Sequence, residues 1–179
     1  MNSNFDLARS YKLFLNQKEL FVSKLRQIDK NVKITIDPQK PNINTPGNWF
    51  MGFVPSEWGD FRGGMHGIHF EFGYFRERDS GYEYVRFSLG IENPFKETYR
   101  DQFKSEVVET MKSVGMHLPD FTIWPKAGVI PRRKLIEYRT TLDNHAGGKV
   151  IERYKDLINL GFIRLVAETI ERYRTMGAI

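Results

Sequence analysis

The chain contains no cysteine, which excludes disulfide bonds, thiolate chemistry and cysteine-ligated zinc, and suits a reducing compartment. Histidine is scarce too. The four present, at positions 66, 69, 117 and 145, have no metal-ligand spacing with carboxylates, so neither a metal nor any other cofactor is expected. No apolar run approaches the ~18 residues of a membrane span. The N-terminal MNSNFDLARS carries no basic segment leading into an apolar one, so no secretory leader and no membrane partner are expected, and the location is read as cytoplasmic. Phosphate-loop, dinucleotide-binding and serine-hydrolase signatures are missing. Gly147-Gly148-Lys149 ahead of a helix is only a weak anion-binding signal. There is no internal repeat, low-complexity tract or linker, and the 179 residues read as a single domain, 1–179, long enough to bury a large core.

What the chain does have is aromatic and basic residues. Aromatics make up 14%, and 27 Lys+Arg against 22 Asp+Glu give a formal charge of +5 and a pI near 9.4. This balance favours polyanionic partners such as nucleic acid. The positive charge is spread along the chain, with one knot at Arg132-Arg133-Lys134.

Hydrophobic periodicity lays out the elements. Leu7, Tyr11, Phe14, Phe21, Leu25 and Ile28 recur at helical spacing over about Phe5 to Ile28. Val32, Ile34 and Ile36 alternate as a short strand, and a proline-rich loop from Asp37 to Asn48 leads to the strand WFMGFV, Trp49 to Val54. A glycine-rich loop from Pro55 to Gly67 contains Trp58. Exposed, that indole would serve a protein partner; folded back, it would be a lid on the core. A second helix is expected after Asn93-Pro94, with Tyr99, Phe103, Val107, Met111 and Val114 on one stripe and Gly115 as terminator. The strands FTIW and LIEYRTT follow, separated by the basic connector KAGVIPRRK. Residues Asp143 to Gly148 read as a loop. Val150 to Tyr173 keep helical spacing, with a kink or break expected at Gly161. The fold class is therefore α+β: a mainly antiparallel sheet of about six strands, with an N-terminal, a middle and a C-terminal helix on one face.

The richest stretch is the hairpin from Met65 to Glu92. Ile68, Phe70, Phe72 and Tyr74 alternate with His69, Glu71, Gly73 and Phe75, and Val85, Phe87, Leu89 and Ile91 with Tyr84, Arg86, Ser88 and Gly90. Pairing Phe75 with Tyr82 would set Gly73 against Tyr84, Glu71 against Arg86 and His69 against Ser88. The apolar side would then pair Phe72 with Val85, Phe70 with Phe87 and Ile68 with Leu89. The non-core face, with Tyr82, Tyr84, Arg86 and His69 beside small residues, has the rings and cations that single-stranded nucleic acid needs. Arg132, Arg133 and Lys134 would add phosphate contacts. The same residues also have a structural reading, as a cross-strand ion pair and as rings covering a strand glycine.

A second pattern is that of restriction-type nucleases, in which an Asp at a strand entry and a Glu-x-Lys on the next strand hold Mg²⁺ and activate water. Here Pro119-Asp120 precedes FTIW and Glu137-Tyr138-Arg139 lies in LIEYR, a degenerate version in which Arg139 replaces the lysine and accepts protons poorly. Mg²⁺ would be required only under that reading.

Three features together carry a family resemblance. Gly67-x-His69 opens a hairpin returning as VRFSLGI, the helix DQFKSEVVETMKSVG leads into strand–turn–strand, and an amphipathic helix closes the unit. Over about 67–173 the chain resembles a domain of unknown function encoded beside or fused to restriction–modification and phage-defence proteins. The resemblance implies an α+β domain working around DNA or defence complexes and assigns no catalytic residues. The leading expectation is a non-catalytic, nucleic-acid-associated or defence-associated binding domain. The alternatives are a Mg²⁺-dependent nuclease and a protein-binding accessory subunit or inhibitor of a nucleic-acid enzyme. The expected partner is nucleic acid or a nucleic-acid-processing complex, and the sequence is silent on oligomeric state.

Overall fold

The computed structural model describes residues 3–36, 49–59, 67–77, 80–91, 97–124 and 134–177. Arg132 and Arg133, His66 and most of the two long loops lie outside them. Alternating residues build six strands: β1 (Lys33–Ile36), β2 (Trp49–Val54), β3 (Ile68–Arg76), β4 (Glu83–Ile91), β5 (Thr122–Ile123) and β6 (Lys134–Thr141). Segments with helical spacing give α1 (Ser3–Ile28), α2 (Glu97–Ser113), α3 (Ala146–Asn159) and α4 (Phe162–Thr175). The strands form one sheet in the order β1-β2-β3-β4-β6-β5, antiparallel at every pairing. The fold is α+β, as the pattern of elements predicts.

One face of the sheet is the core. Phe53, Phe70, Phe72 and Phe87 are fully buried there, and helical side chains close over them. Phe21 of α1 stacks on Phe72 at 4.8 Å between ring centroids, and Tyr154 of α3 meets Phe53, Phe70 and Phe87 edge-on. Trp58, in a short 3-10 turn, stacks on Phe70 and donates its indole N–H to the carbonyl of Ile163 in α4 at 2.9 Å. Only 1% of Trp58 is exposed, so of the two readings it is the lid on the core and not the free partner contact. A large apolar ring with one donor finds both a ring to cover and a buried carbonyl that needs a donor.

The C-terminal helical pattern divides at Gly161, whose φ of 77° is the left-handed conformation that a side chain disfavours. Leu160 N–H returns to Asp156 O and Gly161 N–H to Ile158 O, which closes α3 before α4 begins. The Asp143–Gly148 loop is shorter than expected, because α3 starts at Ala146. Gly147 then lies against α1. Its N–H donates to Gln17 Oε1 at 3.0 Å, and a Cβ there would sit 2.4 Å from the Gln17 carbonyl oxygen.

The hairpin register differs from the expected one by two residues. Phe75 pairs with Tyr84, Gly73 with Arg86, Glu71 with Ser88 and His69 with Gly90, while Phe72 pairs with Phe87 and Phe70 with Leu89. A shift of two keeps every side chain on its face, so alternation alone does not distinguish the registers. The turn decides. Glu77 N–H bonds the Tyr82 carbonyl at 2.9 Å and Gly81 N–H bonds the Glu77 carbonyl at 3.0 Å, leaving Tyr82 outside the ladder and pairing Arg76 with Glu83.

Candidate functional site

The face opposite the core is a lattice set by three neighbouring strands. Reading across β3, β4 and β6, the rows are His69, Gly90 and Lys134; Glu71, Ser88 and Glu137; Gly73, Arg86 and Arg139; and Phe75, Tyr84 and Thr141. β6 thus supplies the third column, which no reading of the hairpin alone provides. A bulge between Leu89 and Gly90 brings Lys134 into line with Gly90.

The middle rows form an ionic cluster. Glu71 lies 3.5 Å from both Arg86 Nη2 and His69 Nε2 and accepts a hydrogen bond from the Ser88 hydroxyl at 3.3 Å. Glu137 accepts from Lys134 Nζ at 3.0 Å and from Arg139 Nε at 2.5 Å. Burial alone would raise both carboxyls. The His69 imidazole and the Arg86 charge beside Glu71, and the Lys134 and Arg139 contacts on Glu137, outweigh it and hold both below the ordinary carboxylate value. Lys134 is pushed down by burial and by the charge of Arg86, against the pull of Glu137. Among the described residues, the ion pairs and ring contacts of this face all come from the strands themselves. The C-terminal helices meet the core face instead, so they do not lie over Tyr82, Tyr84 and Arg86.

The last row runs into a ladder of rings. Phe75 stacks with Tyr84 at 5.7 Å between centroids, and Tyr84 with Tyr82 at 5.9 Å. Arg86 caps Phe75 at 3.5 Å from its centroid and Arg139 caps Tyr84 at 5.0 Å, both within cation–π range. Exposure grades along the ladder: Phe75 is 6% and Tyr84 8% exposed, whereas Tyr82 is 49% exposed. The side chain of Arg139 is 53% exposed, and Tyr82 Oη lies 3.3 Å from Thr141 Oγ1.

The glycines do not leave the space expected above the sheet. A Cβ at Gly73 would meet Phe50 Cβ and Phe75 Cε2 at 2.9 Å, so this strand glycine is where two rings approach the backbone. His69 is 4% exposed, inside the ionic cluster and away from solvent. Tyr84 is likewise covered. Among the described residues of the predicted nucleic-acid set, Tyr82 is the exposed one, and Arg86 is reached only at its edge, at 17% exposed.

The nuclease constellation is not assembled. Asp120, held at a φ of 64°, turns toward the helical side and pairs with Arg153 of α3 at 3.1 Å, and Arg153 in turn lies over Tyr138 on the core face. Glu137 points to the opposite face, into Lys134 and Arg139. Sheet alternation therefore separates the two carboxylates that Mg²⁺ would have to bridge. Arg139 is a partner of Glu137 and of the Tyr84 ring. Among the described residues no group of three or more His, Asp or Glu converges as a metal site.

Comparison with protein-family models, with curated proteins and with solved structures finds no match to this chain.

Proposed function

We propose that the chain is a non-catalytic nucleic-acid-associated binding domain, of the kind that accompanies restriction–modification and phage-defence systems, and that it takes single-stranded nucleic acid at the Tyr82 end of the polar sheet face. The observation that carries this reading is the exposed Tyr82 ring, stacked on Tyr84, whose own ring the half-exposed Arg139 guanidinium caps. A ring held rigidly at a surface stacks on a base at little entropic cost, and a cation beside it meets the phosphate. The ion pairs behind the ladder, Glu71 with Arg86 and Glu137 with Arg139, hold the two guanidiniums against the Phe75 and Tyr84 rings. The protein-docking alternative loses Trp58, which is buried, and would rest on the sheet face alone.

The test is fluorescence anisotropy with labelled single-stranded DNA, single-stranded RNA and duplex DNA, titrated with salt. The expected result is binding to single strands that weakens as salt rises, and a loss of about 5- to 150-fold in Tyr82→Ala, corresponding to about 1–3 kcal/mol per stacked base. No binding at low salt, or equal binding by Tyr82→Ala, contradicts the proposal.

A further inference from the structure

At the hairpin tip the ring ladder runs off the end of the sheet into a groove. Tyr82 and Thr141 form one wall, and Arg9, Ser10 and Leu13 of α1 form the other, enclosing about 540 Å³. A second depression of about 320 Å³ shares Arg9 and Leu13 and continues along α1 past Lys12 and Asn16 to Asn144. Arg9, Lys12, Leu13 and Asn16 fall at i, i+3, i+4 and i+7, so a single stripe of α1 forms the wall of the groove.

The charges in this groove are unevenly committed. Glu83 is engaged on three sides, accepting hydrogen bonds from the Ser10 hydroxyl and the Tyr74 hydroxyl at 2.8 Å with Arg76 at 4.0 Å. Asp143 is held by Lys149 at 2.7 Å and by the His145 N–H at 2.8 Å. Arg9 and Lys12 are exposed, and no carboxylate lies within ion-pair distance of either among the described residues. The acids of the groove are therefore already engaged, while two cations one helical turn apart are exposed on its α1 wall.

We infer that this groove is the phosphate track of the interface, with Arg9 and Lys12 contacting successive phosphates of a single strand whose base stacks on Tyr82. The inference rests on the proposed single-strand reading and adds the path of the backbone. A strand leaving Tyr82 passes from the polar face around the sheet end onto α1. Asn16 and Asn144 offer amide donors to the sugar–phosphate chain farther along.

The two contributions separate by salt dependence. Each phosphate contact on a single strand contributes about 0.7 to the slope of log K against log salt concentration, while stacking contributes none. The experiment measures that slope for a labelled oligodeoxythymidylate, an oligouridylate and a labelled polyglutamate peptide, with wild type, Arg9→Gln/Lys12→Gln and Tyr82→Ala. The expected result is a slope lower by about 1.4 in the double variant and unchanged in Tyr82→Ala, whose affinity alone falls. Both α1 residues are exposed, and a native far-UV circular dichroism spectrum verifies the fold of the variants. A wild-type slope in the double variant, with binding retained, overturns the track and leaves the Tyr82 reading standing. No binding by wild type overturns both, and tighter binding of polyglutamate than of either oligonucleotide reassigns the groove to an acidic peptide and overturns the track.

Discussion

Tyr82 and Tyr84 are two residues apart and on the same face, yet one is half exposed and the other nearly buried. The difference lies in the turn, which leaves Tyr82 past the last ladder pair, while Tyr84 is locked between Phe75 and the Arg139 guanidinium. Period-two alternation makes the face legible for both; exposure depends on the register and on β6, which lies outside the hairpin. Glu71 and Glu137 raise the same point about charge. In sequence Glu71 reads as half of a cross-strand ion pair with Arg86 and Glu137 as a candidate Mg²⁺ ligand, whereas the lattice makes each the hub of a buried cluster. Because their folded-state pKa values lie below the ordinary 4.5, they contribute stability that is fully present above that pH. That contribution is lost as pH falls through the lowered folded values. Chemical denaturation across acid pH should therefore give a stability loss below about pH 4.5 that is shallower in Glu71→Gln. Removing the Glu137 partner from Lys134 and Arg139, as in Glu137→Ala, should cost about 3–5 kcal/mol at neutral pH. An unchanged acid limb in Glu71→Gln would refute the cluster's role.

At the scale of elements, the helices and strands of the described residues follow from hydrophobic spacing, and Gly161 and Gly115 end their helices with positive φ as the pattern requires. The start of α3 was not legible. Gly147 and Gly148 look like loop residues but both lie in α3, and at Gly147 α1 passes so close that only a hydrogen fits. Adjacent glycines in one helix thus predict opposite effects. Gly148→Ala meets nothing within 4 Å and should gain up to about 1 kcal/mol from helix propensity. Gly147→Ala drives a methyl into the Gln17 backbone and should lose about 1–3 kcal/mol, net of that propensity. Thermal unfolding of the two variants side by side checks this, and equal shifts would contradict the packing described between α1 and α3.

For the whole molecule, a formal charge of +5 suggests an anionic partner without locating it. The groove proposed for it joins α1 to the hairpin tip and the end of β6, elements far apart in sequence, so local patterns do not reveal it. Arg9 and Lys12 read in sequence as cations on the solvent side of an amphipathic helix. Arg9 comes to share a groove with Tyr82 only once α1 packs across the core face with Ser10 bonded to Glu83. The nuclease motif failed for the converse reason. Asp120 and Glu137 are close in sequence order but on opposite sides of the sheet.

The most direct test of the account is backbone amide chemical-shift mapping of the isotope-labelled protein during titration with a short single-stranded oligonucleotide. The account predicts perturbations concentrated at Tyr82, Tyr84, Arg139 and Thr141 and along Arg9 to Asn16, with α2 and the α4 surface unmoved. Perturbations centred on α2 or α4, or none at saturating oligonucleotide, would contradict it.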